Sequence, residues 1–140
     1  MRKFTWRFFT GIHTTIYRLT KGRIGGKVAG LGVLLLLTAG RKSGKERTSP
    51  LGYMLDGENY VIIASNGGLD YHPGWYYNLH SNPRAQIQVK DRLMTVQAET
   101  IQGEDRQRLW NQLIARAPVY AGYEKKTRRE IPLVRLTPGS

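Results

Sequence analysis

Residues 40–47 read GRKSGKER and crowd Arg41, Lys42, Ser43, Lys45 and Arg47 into one short stretch against a single acid, Glu46. Gly40 and Gly44 free the backbone for a tight turn. Amide groups, a hydroxyl and several cations at one turn are what an anion needs. The stretch therefore predicts a loop that holds a phosphate or a polyanionic tail; a solvated basic hairpin turn is the alternative. Residues 65–78, SNGGLDYHPGWYYN, form a second group. Asn66, Gly67 and Gly68 can offer amides to a planar ligand or a phosphate. Trp75, Tyr76 and Tyr77 are consecutive, so they cannot share one helix face and at least one belongs in the core. Their rings can stack on a ring system, and Asn78 can hydrogen-bond to it; the alternative is a helix packed by its aromatic face on a sheet. Tyr120 and Tyr123 form a third group, three residues apart and followed by Lys125, Lys126, Arg128 and Arg129. A tyrosine hydroxyl can donate a proton or a hydrogen bond to a substrate carbonyl or nitro group. Amphipathic packing with a solvated charge run is the alternative there.

Several chemistries lack their residues. Only three residues separate Gly40 from Gly44, Glu46 follows Lys45, and no helix is predicted next, so the stretch is not a nucleotide-hydrolysing phosphate loop. No G-x-G-x-x-G follows a strand, which removes the usual nicotinamide fingerprint. No Ser–His–Asp set assembles, and His72, beside Pro73, reads as a loop residue. Paired carboxylates at helical spacing are missing, which argues against glycosidase chemistry. The chain has no cysteine, and His13, His72 and His80 have no metal-motif spacing, so no metal site is expected.

These groups need elements to hold them. Residues 3–20 repeat Phe4, Phe8, Ile12 and Ile16 at spacing four and predict a helix, either packed on a sheet or lying at a membrane interface. Residues 21–31, KGRIGGKVAGL, predict a basic glycine-rich linker, so that residues 1–31 precede a domain formed by 32–140. Strands are expected at 33–38, 48–55 and 60–64, with a hairpin turn at 56–57. Pro50 must then sit at a strand start, an edge or a bulge. A short helix is expected at 75–81, stopped by Asn82–Pro83. The alternation Ala85, Ile87, Val89 against Gln86, Gln88 predicts a half-solvated strand. A turn at 91–92 and a partner strand at 94–99 follow. Helices are expected at 103–117, with the stripe Leu109, Trp110, Leu113, Ile114, Ala117, and at 119–126. A last strand is expected at 131–136, where Ile131, Leu133 and Arg135 face one way and Val134 and Leu136 the other. Meandering hairpins argue against repeated βαβ units. They predict an α+β domain: an antiparallel, partly closed barrel of six strands with helices outside it.

The 140 residues carry a net charge of +12, unevenly placed. Residues 1–50 hold eleven Lys/Arg and one acid; residues 51–140 hold eleven and nine. Charge concentrated in one third of a chain implies an anionic partner there. The longest apolar run, near 33–37, is far short of the roughly 20 residues that span a bilayer, and no signal peptide is expected.

Four stretches together resemble the deazaflavin-dependent nitroreductases, also described as coenzyme F420-dependent quinone reductases. They are IYRLTKGRIGG, LLTAGRKSGKERTSPLGY, VIIASNGGLDYHPGWYYNLHSNP and YAGYEKKTRREIPLVRL, spanning residues 16–136 in the family's order. The resemblance implies a split β-barrel like that of FMN-binding oxidases. It implies reduced coenzyme F420 as hydride donor and a quinone, an enone or a nitroaromatic as acceptor. By motif match, Arg41, Lys42, Ser43, Lys45 and Arg47, with Thr48 and Pro50 after them, would contact the phosphate and the acidic oligoglutamate tail. Ala64, Ser65, Asn66, Gly67 and Gly68 would run along the deazaflavin. Pro73 and Trp75 would stand near the ring and phospholactyl part, with Asn78 in support. Tyr120 and Tyr123 match tyrosines of the substrate wall. A further wall residue common in the family has no match here, so the acceptor stays open. A cytoplasmic protein is expected, with peripheral contact at the inner face of the membrane through residues 1–20 if the acceptor is a membrane quinone. Two rivals remain: an FMN- or haem-binding protein of the same barrel, and a non-enzymatic basic module for anionic lipid or nucleic acid. No recognisable RNA-binding module supports nucleic acid.

Overall fold

The computed structural model describes residues 27, 28 and 30–139. The helix expected over 3–20 and most of the basic linker lie outside these residues. The described elements are strands β1 (Lys27–Val28), β2 (Leu31–Ala39), β3 (Glu46–Asp56) and β4 (Asn59–Ile63), helix α1 (Gly74–Ser81), strands β5 (Arg84–Val89) and β6 (Arg92–Thr100), helices α2 (Gly103–Arg116) and α3 (Val119–Lys126), and strand β7 (Leu133–Pro138). A single 3-10 turn, Asn66–Gly68, follows β4.

The strands run antiparallel in the order β1-β2-β3-β4-β7-β6-β5, and β5 pairs back onto β2. That last pairing, Leu35 with Gln88 and Leu37 with Gln86, closes six strands into the expected barrel. β1 is an addition, a two-residue strand inside the glycine-rich stretch that was expected to be a loop.

Alternation along each strand divides the core in two. Leu34, Leu36, Ile62, Ile87, Val96, Val134 and Leu136 fill the barrel, with Trp75 and Leu79 of α1 packed against them. On the outside, Met54, Val61, Ile63 and Leu133 meet Leu109, Trp110 and Leu113 of α2 and Tyr120 of α3. β2 is buried on both faces, since Val33, Leu35 and Leu37 are hidden as well as Leu34 and Leu36. A two-sided burial removes the alternation and leaves an unbroken apolar run. Arg135, on the helix-facing side of β7, bonds Asp56, Glu99 and Asp105, and Arg108 joins Asp56 and Asp105. This cluster ties α2 to three strand ends.

Three expectations change. Gln88 is 2% exposed rather than solvated. Its strand is not an edge but the one that closes the barrel, and Gln88 lies beside Leu35. Its Nε2 donates to Lys90 O at 3.0 Å. The turn after β5 is Lys90–Asp91, one residue early, because Lys90 takes the left-handed conformation (φ 56°). β7 begins at Leu133, not 131, since Pro132 has no N–H for the ladder. Pro50 stands within β3 opposite Leu35, but β4 pairs only with Tyr53–Asp56, so this part of β3 has an open flank that tolerates proline.

Leu36 is fully buried at the barrel's centre. Leu36→Ala is expected to lower the unfolding free energy by about 3 kcal/mol, measured by chemical denaturation.

Candidate active site

The basic turn between β2 and β3 holds its own shape. Gly40 N–H donates to Lys45 O at 2.7 Å and Gly44 N–H to Gly40 O at 2.8 Å. Lys45 N–H donates to Ser43 Oγ at 3.1 Å. Gly44 has φ +76°, a conformation that favours glycine. None of these bonds uses the Lys42 or Ser43 N–H. Asn78 of α1 fastens the turn from outside: its Oδ1 accepts from Arg41 N–H at 3.0 Å, and its Nδ2 donates to Thr38 Oγ1 at 3.1 Å. Asn78 is buried, so its amide is committed to the protein rather than left for a ring. The Arg41 guanidinium lies 4.9 Å above the Tyr77 ring.

Between this turn and the start of α1 lies a cleft of about 470 Å³. Arg41, Lys42, Ser43, Arg47, Thr48, Trp75 and Asn78 line it together, as do Gly40, Ser49 and Gly74. Among the described residues Arg41, Lys42, Lys45 and Arg47 make no ion pair. Lys45 projects from the turn without lining the cleft, and Pro50 lies further along β3. Trp75 is the core member of the aromatic trio, 7% exposed, while Tyr77 is open. A smaller cavity of about 140 Å³ lies beside Tyr76, His80 and Glu99; of the candidate ring-stacking residues it holds Tyr76 alone.

The second group forms a separate wall. Ala64 is fully buried, and its N–H donates to Pro132 O. Asn66, Gly67 and Gly68 all have positive φ, at 49°, 65° and 87°. Gly68 is needed for space too: a Cβ there would stand 3.2 Å from Lys126 Cβ and from Tyr123 O. α3 thus rests directly on this loop, and Lys126 Nζ donates to Gly67 O at 3.3 Å. Pro73 precedes α1 as its N-cap. Tyr120 is buried, and Tyr123 meets it edge-on at 5.5 Å. A Cβ on Gly52 would stand 3.5 Å from Tyr120 Oη. Gly52 follows Thr48 and Pro50 on the same face of β3, so the third group sits further along the strand that leaves the basic turn. Burial, and then Tyr123, raise the Tyr120 pKa above the usual 10.0, so its hydroxyl keeps its proton.

Sequence reasoning did not single out Ser49 or Gly74; it named Tyr77 only as one of three rings that could stack, and Arg129 only within the basic run after Tyr123. Gly74 stood inside a motif already quoted, but Arg129 carried no local signal, because its partners are 57 to 64 residues away. Arg129 Nη1 lies 2.9 Å from His72 Nδ1. A guanidinium only donates, so Nδ1 accepts and the proton of the neutral ring is on Nε2. Burial, and then Arg129, hold the His72 pKa below 6.5. The folded state then binds fewer protons than the unfolded one below pH 6.5. This contribution to stability is complete above 6.5 and falls as pH drops towards the folded value. In an NMR pH series His72 is expected to titrate below 6.5, and denaturation midpoints are expected to fall on moving from pH 7.5 to 5.5.

The sequence model of the F420H(2)-dependent quinone reductases matches residues 9–138. A curated relative from Mycobacterium tuberculosis, an F420H(2)-dependent quinone reductase, is 43% identical over 131 residues, covering 90% of this chain and 87% of its own. A solved F420-H2 dependent reductase is 36% identical with a TM-score of 0.68, covering 74% of this chain and 92% of its own. Another solved structure, described as a domain-swapped dimer, is 34% identical with a TM-score of 0.70, covering 89% and 94%. With a family model over most of its length and a relative at this identity, this chain belongs to the F420H(2)-dependent quinone reductase family.

Proposed function

We propose that the cleft takes reduced coenzyme F420 and that the protein passes its hydride to a quinone. One observation carries this reading: cations that make no ion pair among the described residues converge on a cleft whose far wall is the start of α1. Like charges held together repel, and a multiply charged anion removes that repulsion. The acidic tail and phosphate of the cofactor fit this turn, with Arg41, Lys42, Ser43, Arg47 and Thr48 lining the cleft and Lys45 beside it. Pro50 leads from there along β3, and Ser65, Asn66, Gly67 and Gly68, with Pro73 and Trp75, would flank the ring, while Ala64, fully buried, would stand behind them. Asn78 acts through the turn that it fastens.

When bound, the reduced deazaflavin supplies the hydride. The protein's part is to orient the acceptor and handle its oxygen. The Tyr120 hydroxyl lies beside Gly52 of β3, and the Tyr123 ring meets the Tyr120 ring edge-on. Either phenol can hydrogen-bond the oxygen that becomes negative, or give it a proton. The same wall suits the carbonyl of an enone or the nitro group of a nitroaromatic, which widens the proposed acceptors. A membrane quinone would place the protein in the cytoplasm at the inner membrane face, with the apolar and basic residues of 1–20 as the contact; no described helix is long and apolar enough to cross a membrane.

Titration with oxidised F420, followed by fluorescence and with FMN and NADP as controls, is expected to show uptake of F420 alone. Uptake of FMN or haem instead would sink the reading. The double variant K42A/R47A is expected to bind F420 about tenfold or more weakly and with a shallower salt dependence. Unchanged affinity would remove the turn from the site. Tyr123→Phe is expected to keep cofactor affinity and lower turnover at least tenfold, measured with a soluble quinone.

A further inference from the structure

The segment between α3 and β7 grips the 65–72 loop through side-chain and backbone hydrogen bonds. Arg129 is half-buried, and its guanidinium makes three bonds into that loop. Nη2 donates to Ser65 O at 2.9 Å, Nε to Leu69 O at 2.9 Å, and Nη1 to His72 Nδ1 at 2.9 Å. Beside it, Asp70 Oδ1 accepts from Arg128 N–H at 3.1 Å and stands 3.0 Å from Thr127 Oγ1. The loop needs such support. Asn66, Gly67 and Gly68 are consecutive residues at positive φ; two are glycines, whose backbone is free to adopt many other conformations, so contacts from outside must select this one. The loop's internal bonds are Gly68 N–H to Ser65 O and Leu69 N–H to Asn66 O. Arg129 holds the same Ser65 carbonyl and the carbonyl of Leu69, so it fixes both ends of the left-handed turn.

We propose that Arg129 is a positioning residue for the ring end of the cofactor, setting the 65–68 backbone in place independently of the turn that takes the tail. The inference rests on the F420 reading above. A rigid three-pronged donor suits this task, and a lysine cannot replace it, because one ammonium cannot reach three acceptors spread over eight residues.

The test uses the full chain and two ligands: oxidised F420, and the deazaflavin riboside that lacks the phosphate and glutamates. R129M is expected to weaken both ligands by the same factor, about tenfold, and to leave the salt dependence of F420 binding unchanged. R129K is expected to fall between R129M and the wild type. K42A/R47A, in contrast, is expected to weaken F420 and spare the riboside. This split separates ring positioning from general loss of structure, which would disturb both ligands and the salt dependence together. Riboside affinity within twofold of wild type in R129M overturns the proposal. So does a loss confined to F420 with a shallower salt dependence, which would make Arg129 a direct contact of the tail. If R129M does not fold, R129K and His72→Leu, which removes one acceptor from the loop, carry the test, and unchanged riboside affinity in both overturns it. A wild-type chain that binds neither ligand defeats the cofactor reading itself.

Discussion

A buried carboxamide joins the two halves of the cleft. Asn78 sits on α1, yet its hydrogen bonds run to Thr38 at the end of β2 and to the backbone of Arg41 in the basic turn. The turn carries several like charges that make no ion pair among the described residues, and their repulsion favours an open turn. A side-chain bond to its backbone resists that without neutralising any cation. The charges stay available, and their position is set before an anion arrives. Pre-placing charge in this way reduces the ordering penalty of binding.

The barrel supplies the frame for this arrangement. Pairing of β2 with β5 closes the cylinder and brings α1, which lies between β4 and β5 in sequence, over its end. Trp75 and Leu79 then reach the barrel core while the start of α1 faces the turn. Helices α2 and α3 pack on the opposite kind of surface, the outer faces of β4 and β7, and deliver Tyr120 beside Gly52 and Tyr123 beside Gly68. The basic turn and the tyrosine pair thus lie along one strand, β3, but are held by different parts of the chain. The turn is fastened by α1; the tyrosines belong to α3, and α3 and the residues that follow it hold the 65–72 loop.

Most elements were readable because their signals are local. The helix at Val119–Lys126 has the bounds that its sequence predicts, and α1, α2 and the hairpin strands differ from expectation by no more than two residues at either end. Pro118, the Asn82–Pro83 pair and the glycines at turns act on their own neighbours, so they mark boundaries without tertiary help. Gln88 was misread because alternation tells which residues share a face, not whether that face meets water. Asn78 was read as a ligand to a ring because its type and motif suit that task. Nothing within ten residues reveals that Thr38 and Arg41 take its bonds.

The sequence by itself determined the family, the barrel class and the identity of the cationic turn, since each is written in contiguous motifs and short-range periodicity. Only the tertiary structure decided which of those residues share a cleft and which are occupied by the protein. It alone joined Arg129 to Ser65 and Asn78 to Arg41. Such bonds link positions 37 to 64 residues apart, and they exist only once barrel closure has brought the distant segments within hydrogen-bonding reach.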